Sequence, residues 1–371
     1  MSRSDIARSV AQRIANRSRE RRLTRNDALV AYAMDRLLFR LGKSRHAREF
    51  FLKGGLLVAN LVDAPYRFTR DIDLLRRRGP PNPNPKQGGV PPPSLGRSRP
   101  GRGDAPRPRP STSSLLPLDG AKRRAPLARS PCREGCFMAL GATPAAWGTD
   151  EMRRRFREVV ALPADDGLTF DPDDVRATLA TRDIDGYDGV RVVVGARLGD
   201  TPIEVHIDVG FGDALVPDPA RTQLATFIEG DPAARVFAYD PEPVLAEKVE
   251  TLLARFPLIE HRLKDVLDVV VLTRRRGFVG AALAGSFRAT FERRGTPAET
   301  RVLDELAEAL AGRRWAERWA LMRRDKAVIV DVELTDAVTA LDGFVRPVLG
   351  ALGGGPMPGT WAPGGPWLPG G

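Results

Sequence analysis

The chain has 371 residues, a hydrophobic fraction of 42% and a formal net charge of +11, enough for two units and a sizeable core. Residues 77–150 hold 13 Lys and Arg against 4 Asp and Glu, a local +9, so the rest carries 11 − 9 = +2 and the total does not imply a polyanion-binding surface. No apolar run reaches the ~20 residues of a membrane span and the first residues lack the apolar stretch of a secretory leader, so the sequence reads as cytoplasmic with no membrane association.

Residues 5–48 are expected to be helical, because Leu29, Tyr32, Ala33, Leu37, Leu38 and Leu41 recur at helical spacing and Gly42 offers a stop. Phe50–Leu52 suits a short buried strand, Gly54-Gly55 a turn, Leu56–Leu61 a short helix and Ile72–Leu75 a second strand. Residues 79–150 break this pattern: positions 79–149 contain 15 of the 32 prolines and no sustained period. Such a composition buries too little apolar surface to offset the entropy of ordering, so the stretch reads as a disordered insert or a gene-model artefact. The Arg-Gly-Asp triplet at 102–104 and the only two cysteines, Cys132 and Cys136, fall inside it. Two cysteines so far from His46, His206 and His261 in sequence make neither a disulfide framework nor a four-ligand zinc site.

A helix is expected from Met152, then a linker over 163–174, then strands at 190–198 and 202–211 joined by a Gly199-Asp200 hairpin turn. From Asp240, an N-cap before Pro241, the chain reads as helical to about residue 349. The Gly-, Pro- and Trp-rich tail 351–371 has no period and is expected to be unstructured.

Asp71-Ile72-Asp73 carries the chemical signal. Strand residues two apart share a face, so both carboxylates point one way. Two such charges resist ionising together unless a cation lies between them, and a hard divalent ion with oxygen ligands is the natural partner. A D-x-D triplet alone is weak evidence. It gains weight from its apolar flanks, from the glycine turn 16 residues before Asp71, whose following helix amides could hold a phosphate, and from Asp208. In the second long strand Ile203, Val205 and Ile207 alternate with Glu204, His206 and Asp208, so a third carboxylate could complete a two-metal clamp. No Walker loop, Gly-x-Ser-x-Gly elbow or Cys/His couple is present.

The run KGG…RFTRDIDL, the strand ending HIDVGFGD and the pair AEK…KDVLD together resemble the AbiEii/AbiGii-type nucleotidyltransferase toxins, over about residues 25–78 and 151–348. The resemblance implies an α/β (α+β) protein with a mixed-sheet, polymerase-β-like nucleotidyltransferase core over 49–78 and 151–235. N-terminal helices over 1–48 and a helical domain over 236–350 would flank that core. It implies Asp71, Asp73 and Asp208 as ligands of Mg²⁺ (or Mn²⁺). Gly54, Gly55, Arg67, Thr69 and Lys248 would bind the NTP, and Lys264 and Asp265 would border the catalytic cleft. From the residues alone, Lys248 reads as a snorkelling lysine, and Lys264, Asp265 and Asp268 as surface charges opposite the apolar stripe of their helix. Asp268 supports that helix, His206 packs in a polar cluster, His46 and His261 read as surface residues, and Glu247 is undecided. The implied function is transfer of a nucleoside monophosphate to an acceptor hydroxyl, on RNA such as tRNA. The protein would be the toxin of a toxin–antitoxin, phage-defence system with a winged-helix antitoxin. Two alternatives stand beside it: a catalytically degenerate nucleotide-, RNA- or antitoxin-binding protein, and a nucleotidyltransferase acting on an antibiotic-like small molecule. The insert departs from the family pattern beside the Asp71/Asp73 strand.

Overall fold

Alternation and helical spacing translate into a mixed seven-stranded sheet clad by helices in the computed structural model, which describes residues 3–62, 66–77, 148–181 and 188–369. The expectations for the insert, including the Arg-Gly-Asp triplet and the cysteines, lie outside the described residues. Two helices open the chain, α1 (Arg3–Glu20) and α2 (Arg25–Lys43). The Thr24 hydroxyl caps α2 by accepting from the Asp27 N–H at 3.1 Å. Gly42 does not end α2 as expected. A Cβ there would stand 2.4 Å from the Arg235 carbonyl oxygen, so this glycine permits close packing rather than termination.

Strand β1 (Phe50–Lys53) leads through helix α3 (Gly54–Leu61) into β2 (Asp71–Arg76), and helix α4 (Thr149–Val160) follows. Three long strands come next, β3 (Leu168–Thr181), β4 (Asp188–Leu198) and β5 (Thr201–Phe211), then the short β6 (Ala220–Gln223) and β7 (Arg235–Ala238). The sheet order is β3-β4-β5-β2-β1-β7-β6, with β2 parallel to β5 and β1 parallel to β7. The expected linker over 163–174 is instead strand from Leu168. The register of β3 shifts between Phe170 and Val175, and β3 is an edge strand, where Pro172 and a run of acids are tolerated at an irregularity. The expected boundary at 235 also moves, because β7 carries the sheet to Ala238.

One face of the sheet, with Phe50, Leu52, Ile72, Leu74, Ile207 and Val209 all buried, packs against α2 and α4, where Phe50 meets Phe156 at 5.4 Å between ring centres. The helical half follows β7: α5 (Pro241–Arg255), α6 (Leu263–Arg275), the two-residue β8 (Phe278–Val279), α7 (Gly280–Arg294), α8 (Arg301–Leu310), α9 (Arg313–Asp325) and α10 (Leu334–Leu352). Pro241 takes the first helical position of α5 as expected, but Asp240 makes no side-chain cap bond. The stripe Leu245, Val249, Leu252 and Leu253 is buried.

The tail departs from expectation. β9 (Thr360–Trp361) pairs with both β8 and β10 (Trp367–Leu368) in a three-stranded sheet. Trp361 donates its indole N–H to the Thr273 carbonyl at 2.9 Å and lies edge-on to Phe344 at 4.9 Å. Trp367 stacks on Phe344 at 5.4 Å and donates to its carbonyl at 3.0 Å. Aromatic packing and indole hydrogen bonds order a segment that shows no sequence period. No helix among the described residues is long and apolar enough to cross a membrane.

Candidate active site

Sheet register builds the site. Lys53 of β1 stands opposite Asp73 of β2, Asp73 opposite Asp208 of β5, and Asp208 opposite Arg191 of β4. Registered residues share a face, so four charged side chains form one row across four strands, with two carboxylates side by side at its centre. Asp71 lies one pleat away, opposite His206. This face is the one turned from α2 and α4.

The two carboxylates are not equivalent. Asp208 accepts two hydrogen bonds from Arg191, Nε to Oδ1 at 2.8 Å and a terminal nitrogen to Oδ2 at 2.7 Å, the bidentate fork that guanidinium favours. Asp73 is half-buried; burial first, and then the Asp208 charge, push its carboxyl above the usual range, against the pull of Lys264, Lys53 and Lys248. Gly54, at φ +69°, begins α3 directly against this group, and a Cβ there would fall 2.0 Å from Asp73 Oδ2. A Cβ on Gly55 would fall 2.3 Å from a terminal nitrogen of Arg67. The helix start thus closely approaches a carboxylate and a guanidinium: Gly54 is also required by its left-handed backbone, whereas a side chain at Gly55 would have to displace the Arg67 guanidinium. The N-cap residue of α3, Lys53, makes no side-chain cap bond to the helix.

The donor set suits a hard divalent cation: oxygen ligands and an adjacent carboxylate pair whose repulsion such an ion would relieve. The expected meeting of Asp71, Asp73 and Asp208 at one point is nevertheless not found. Among the described residues no three His, Cys, Asp or Glu side chains converge to hold a metal, and Arg191 holds Asp208 by both oxygens.

Arg67 and Lys248, expected to handle the triphosphate, are engaged elsewhere. Asp268, wholly buried, accepts from Arg67 Nε at 2.5 Å and from its terminal nitrogen at 2.7 Å, from the Tyr66 hydroxyl at 2.5 Å, and pairs with Lys248 at 2.6 Å. Lys248 also donates to Asp265 at 2.8 Å. Burial works against ionisation of Asp268, but Arg67 and Lys248 outweigh it and hold the carboxyl far below its ordinary range. Burial likewise lowers the Lys248 ammonium, and Asp265 with Asp268 more than restores it. Asp265 and Asp268 are thus buried partners of the site's cations rather than surface charges. Thr69 is half-buried in the segment entering β2.

A second buried network borders the row. Lys53 binds Asp213 at 2.5 Å and Glu247 at 3.0 Å, and Arg294 joins them through Asp213 at 3.1 Å and Glu250 at 2.6 Å. Glu247 is thereby placed among structural ion pairs. His206 is partly exposed, 4.0 Å from Glu204. His46 is not a surface residue: it is 3% exposed, bridging Glu49 at 2.7 Å and Glu158 at 2.6 Å. His261 is exposed as expected. Lys53, Arg191 and Tyr66 are site residues that the sequence reading passes over.

The sequence profile described as "Nucleotidyl transferase AbiEii toxin, Type IV TA system" matches residues 36–92 and 145–333. Comparison with curated proteins gives no match. Among solved structures, JHP933 from Helicobacter pylori is similar at a TM-score of 0.40 and 11% identity, over 88% of this chain and 93% of that one. A putative nucleotidyltransferase from H. pylori aligns at 0.43 and 11%, over 90% and 98%. MenT4, a nucleotidyltransferase toxin from Mycobacterium tuberculosis, aligns at 0.37 and 14%, over 95% and 99%. Likeness at this level carries no inference about chemistry.

Proposed function

Since the chain belongs to the AbiEii nucleotidyl transferase toxin family of Type IV toxin–antitoxin systems, we propose that this site moves a nucleoside monophosphate from an NTP to an acceptor hydroxyl on RNA. The observation that carries the reading is the register placing Asp73 directly beside Asp208, one pleat from Asp71. The acceptor oxygen bonds to the α-phosphorus, the bond from that phosphorus to the bridging oxygen breaks, and pyrophosphate leaves with the electron pair. Asp71 and Asp73 would hold Mg²⁺ or Mn²⁺, which supplies charge neutralisation for the phosphates when bound. Asp208, oriented by Arg191, takes the acceptor proton. The α3 amides at Gly54 and Gly55 face the polyphosphate. Arg67 and Lys248, tied by Asp268, fix the walls of the cleft around Asp265, and Thr69 lines the entry to β2.

Family membership brings an antitoxin as partner. That the antitoxin carries a winged-helix region, and that tRNA is the acceptor, belong to the proposal and rest on resemblance. The test incubates the purified chain with each labelled NTP, Mg²⁺ or Mn²⁺ and total tRNA. Label should pass to RNA and vanish in Asp71→Ala and Asp73→Ala. Undiminished transfer in both variants would overturn the assignment. Transfer to small hydroxylated acceptors but never to RNA would favour the antibiotic-type alternative, and NTP binding with no transfer to any acceptor would leave a binding protein.

A further inference from the structure

The carboxylate face does not end at Asp208. β4 and the edge strand β3 carry it outwards, and register sets two rows across it. One row joins Arg176 of β3, Val193 of β4, His206 of β5 and Asp71 of β2; the other joins Thr178, Arg191, Asp208 and Asp73. The alternate residues Val175, Val192, Val194, Val205 and Ile207 are buried on the opposite face, where α4 packs on β3 and β4 and α2 packs on β5. The side chains of the site face are open: Arg176, Thr178, Arg191 and Glu204 are exposed, and Val193 and His206 are half-buried.

His206 stands apart on this face. Among the described residues its ring nitrogens have no hydrogen-bond partner, because Glu204 lies 4.0 Å from Nε2, and 39% of the side chain is accessible. It sits one strand spacing, about 4.8 Å, from Asp71. The direction of the reaction gives that position a meaning. In-line displacement puts the attacking and leaving oxygens on opposite sides of the phosphorus. Gly54 and Gly55, at the polyphosphate end, lie on the β1 side of Asp73, whereas β5 and β4 lie on the other. The attacking hydroxyl therefore arrives over β5 and β4, the surface that His206 borders.

We propose that the open face of β3, β4 and β5 is the platform for a single-stranded RNA end, with the His206 ring stacking on the terminal base and Val193 and Arg176 carrying the bases behind it. The inference rests on the nucleotidyl-transfer reading, which sets the side from which the acceptor comes. Three strand spacings separate Arg176 from Asp71, about 14 Å, a run that accommodates a few nucleotides of one strand. Imidazole and guanidinium planes bind unpaired bases by stacking, with little demand for net positive charge on the surface. A duplex is recognised through its phosphates and needs a strip of free cations, but here Arg176 is paired with Glu204 and Asp174, and Arg191 with Asp208. A small acceptor calls for an enclosed pocket, whereas these side chains are exposed as far as the edge strand.

The test is fluorescence anisotropy with a labelled, mixed-sequence single-stranded RNA oligonucleotide bearing a free 3′ hydroxyl, and with the same strand in a blunt duplex. Each is titrated with the full chain and with His206→Ala, His206→Phe and Arg176→Ala. His206→Ala should weaken single-strand binding about tenfold, His206→Phe should restore most of it by keeping a ring to stack on, and Arg176→Ala should cost about threefold. Melting temperatures should stay near that of the parent. In the transfer assay the KM for RNA should rise in His206→Ala while the KM for NTP holds. Single-strand binding unchanged in both His206→Ala and Arg176→Ala would overturn the proposal. So would His206→Phe as weak as His206→Ala, equal binding of the duplex, or an NTP affinity that falls with that for RNA. Binding that depends on His206 in a chain showing no transfer would uphold the platform and refute the transferase reading. Transfer to small hydroxylated acceptors with no RNA binding would refute the platform and leave that reading standing.

Discussion

Asp268→Asn is expected to destabilise the protein far more than an ordinary surface change. The carboxylate is wholly buried and accepts two bonds from Arg67 and one from Tyr66 while pairing with Lys248. Removing its charge leaves two buried cations with only Asp265 between them. Breaking a buried pair in this way costs about 3–5 kcal/mol. At roughly 2 °C per kcal/mol for a chain of this size, the melting temperature should fall by about 6–10 °C, read by calorimetry at neutral pH. The sign with pH follows from the lowered folded-state pKa of Asp268, whose carboxyl Arg67 and Lys248 keep ionised. Its contribution is fully present above the unfolded value and lost as pH falls through that value towards the folded one. The gap between parent and variant should therefore narrow below about pH 4. A second substitution, Lys248→Met added to the Asp268→Asn variant, should recover part of the loss by removing one orphaned charge. A melting temperature within about 1 °C of the parent, corresponding to about 0.5 kcal/mol or less, would refute the view that this cluster holds the α6 side of the cleft together.

Gly54→Ala places a methyl group 2.0 Å from Asp73 Oδ2 at φ +69°, so it should cost about 1–2 kcal/mol in backbone strain and reduce transfer about a hundredfold by displacing the carboxylate. Gly199→Ala, at φ +56° with open space around it, is the control: similar strain, unchanged activity; equal activity loss in the two would sink the argument. Trp361→Ala should cost about 3 kcal/mol or more in urea unfolding, because the ring packs on Phe344 and its N–H bonds Thr273; a loss below about 1 kcal/mol would mean that the tail sheet adds little.

Local pattern makes much of this site readable. The polar–apolar alternation of 203–208 and the flanks of Asp71 and Asp73 place the three acids on strands with the right faces. Even Arg191 lies within reach of the sequence: counting back on both sides from the Gly199-Asp200 turn sets it opposite Asp208, as the register has it. Lys53 opposite Asp73 is harder, because α3 and the residues after it intervene and no short turn fixes the pairing. The resemblance implies Arg67 and Lys248 as NTP ligands, but their pairing with Asp268 is not legible in the sequence, because Asp268 is remote from Arg67 and a buried long-range ion pair leaves no periodic trace. The tail escapes a reading by pattern for a related reason. Strands of two residues are too short to show alternation, and what orders them is a set of aromatic contacts with α6 and α10.

The parallel pairing of β2 with β5 has a further consequence for a protein of a toxin family. The carboxylate couple joins positions 73 and 208, and the guanidinium that orients it sits at 191. During synthesis from the N-terminus, the strand with Asp71 and Asp73 leaves the ribosome well before the one with Asp208, so the growing polypeptide lacks the site until most of the sheet has emerged. Translation products ending before β5 would therefore lack the pairing of Asp73 with Asp208.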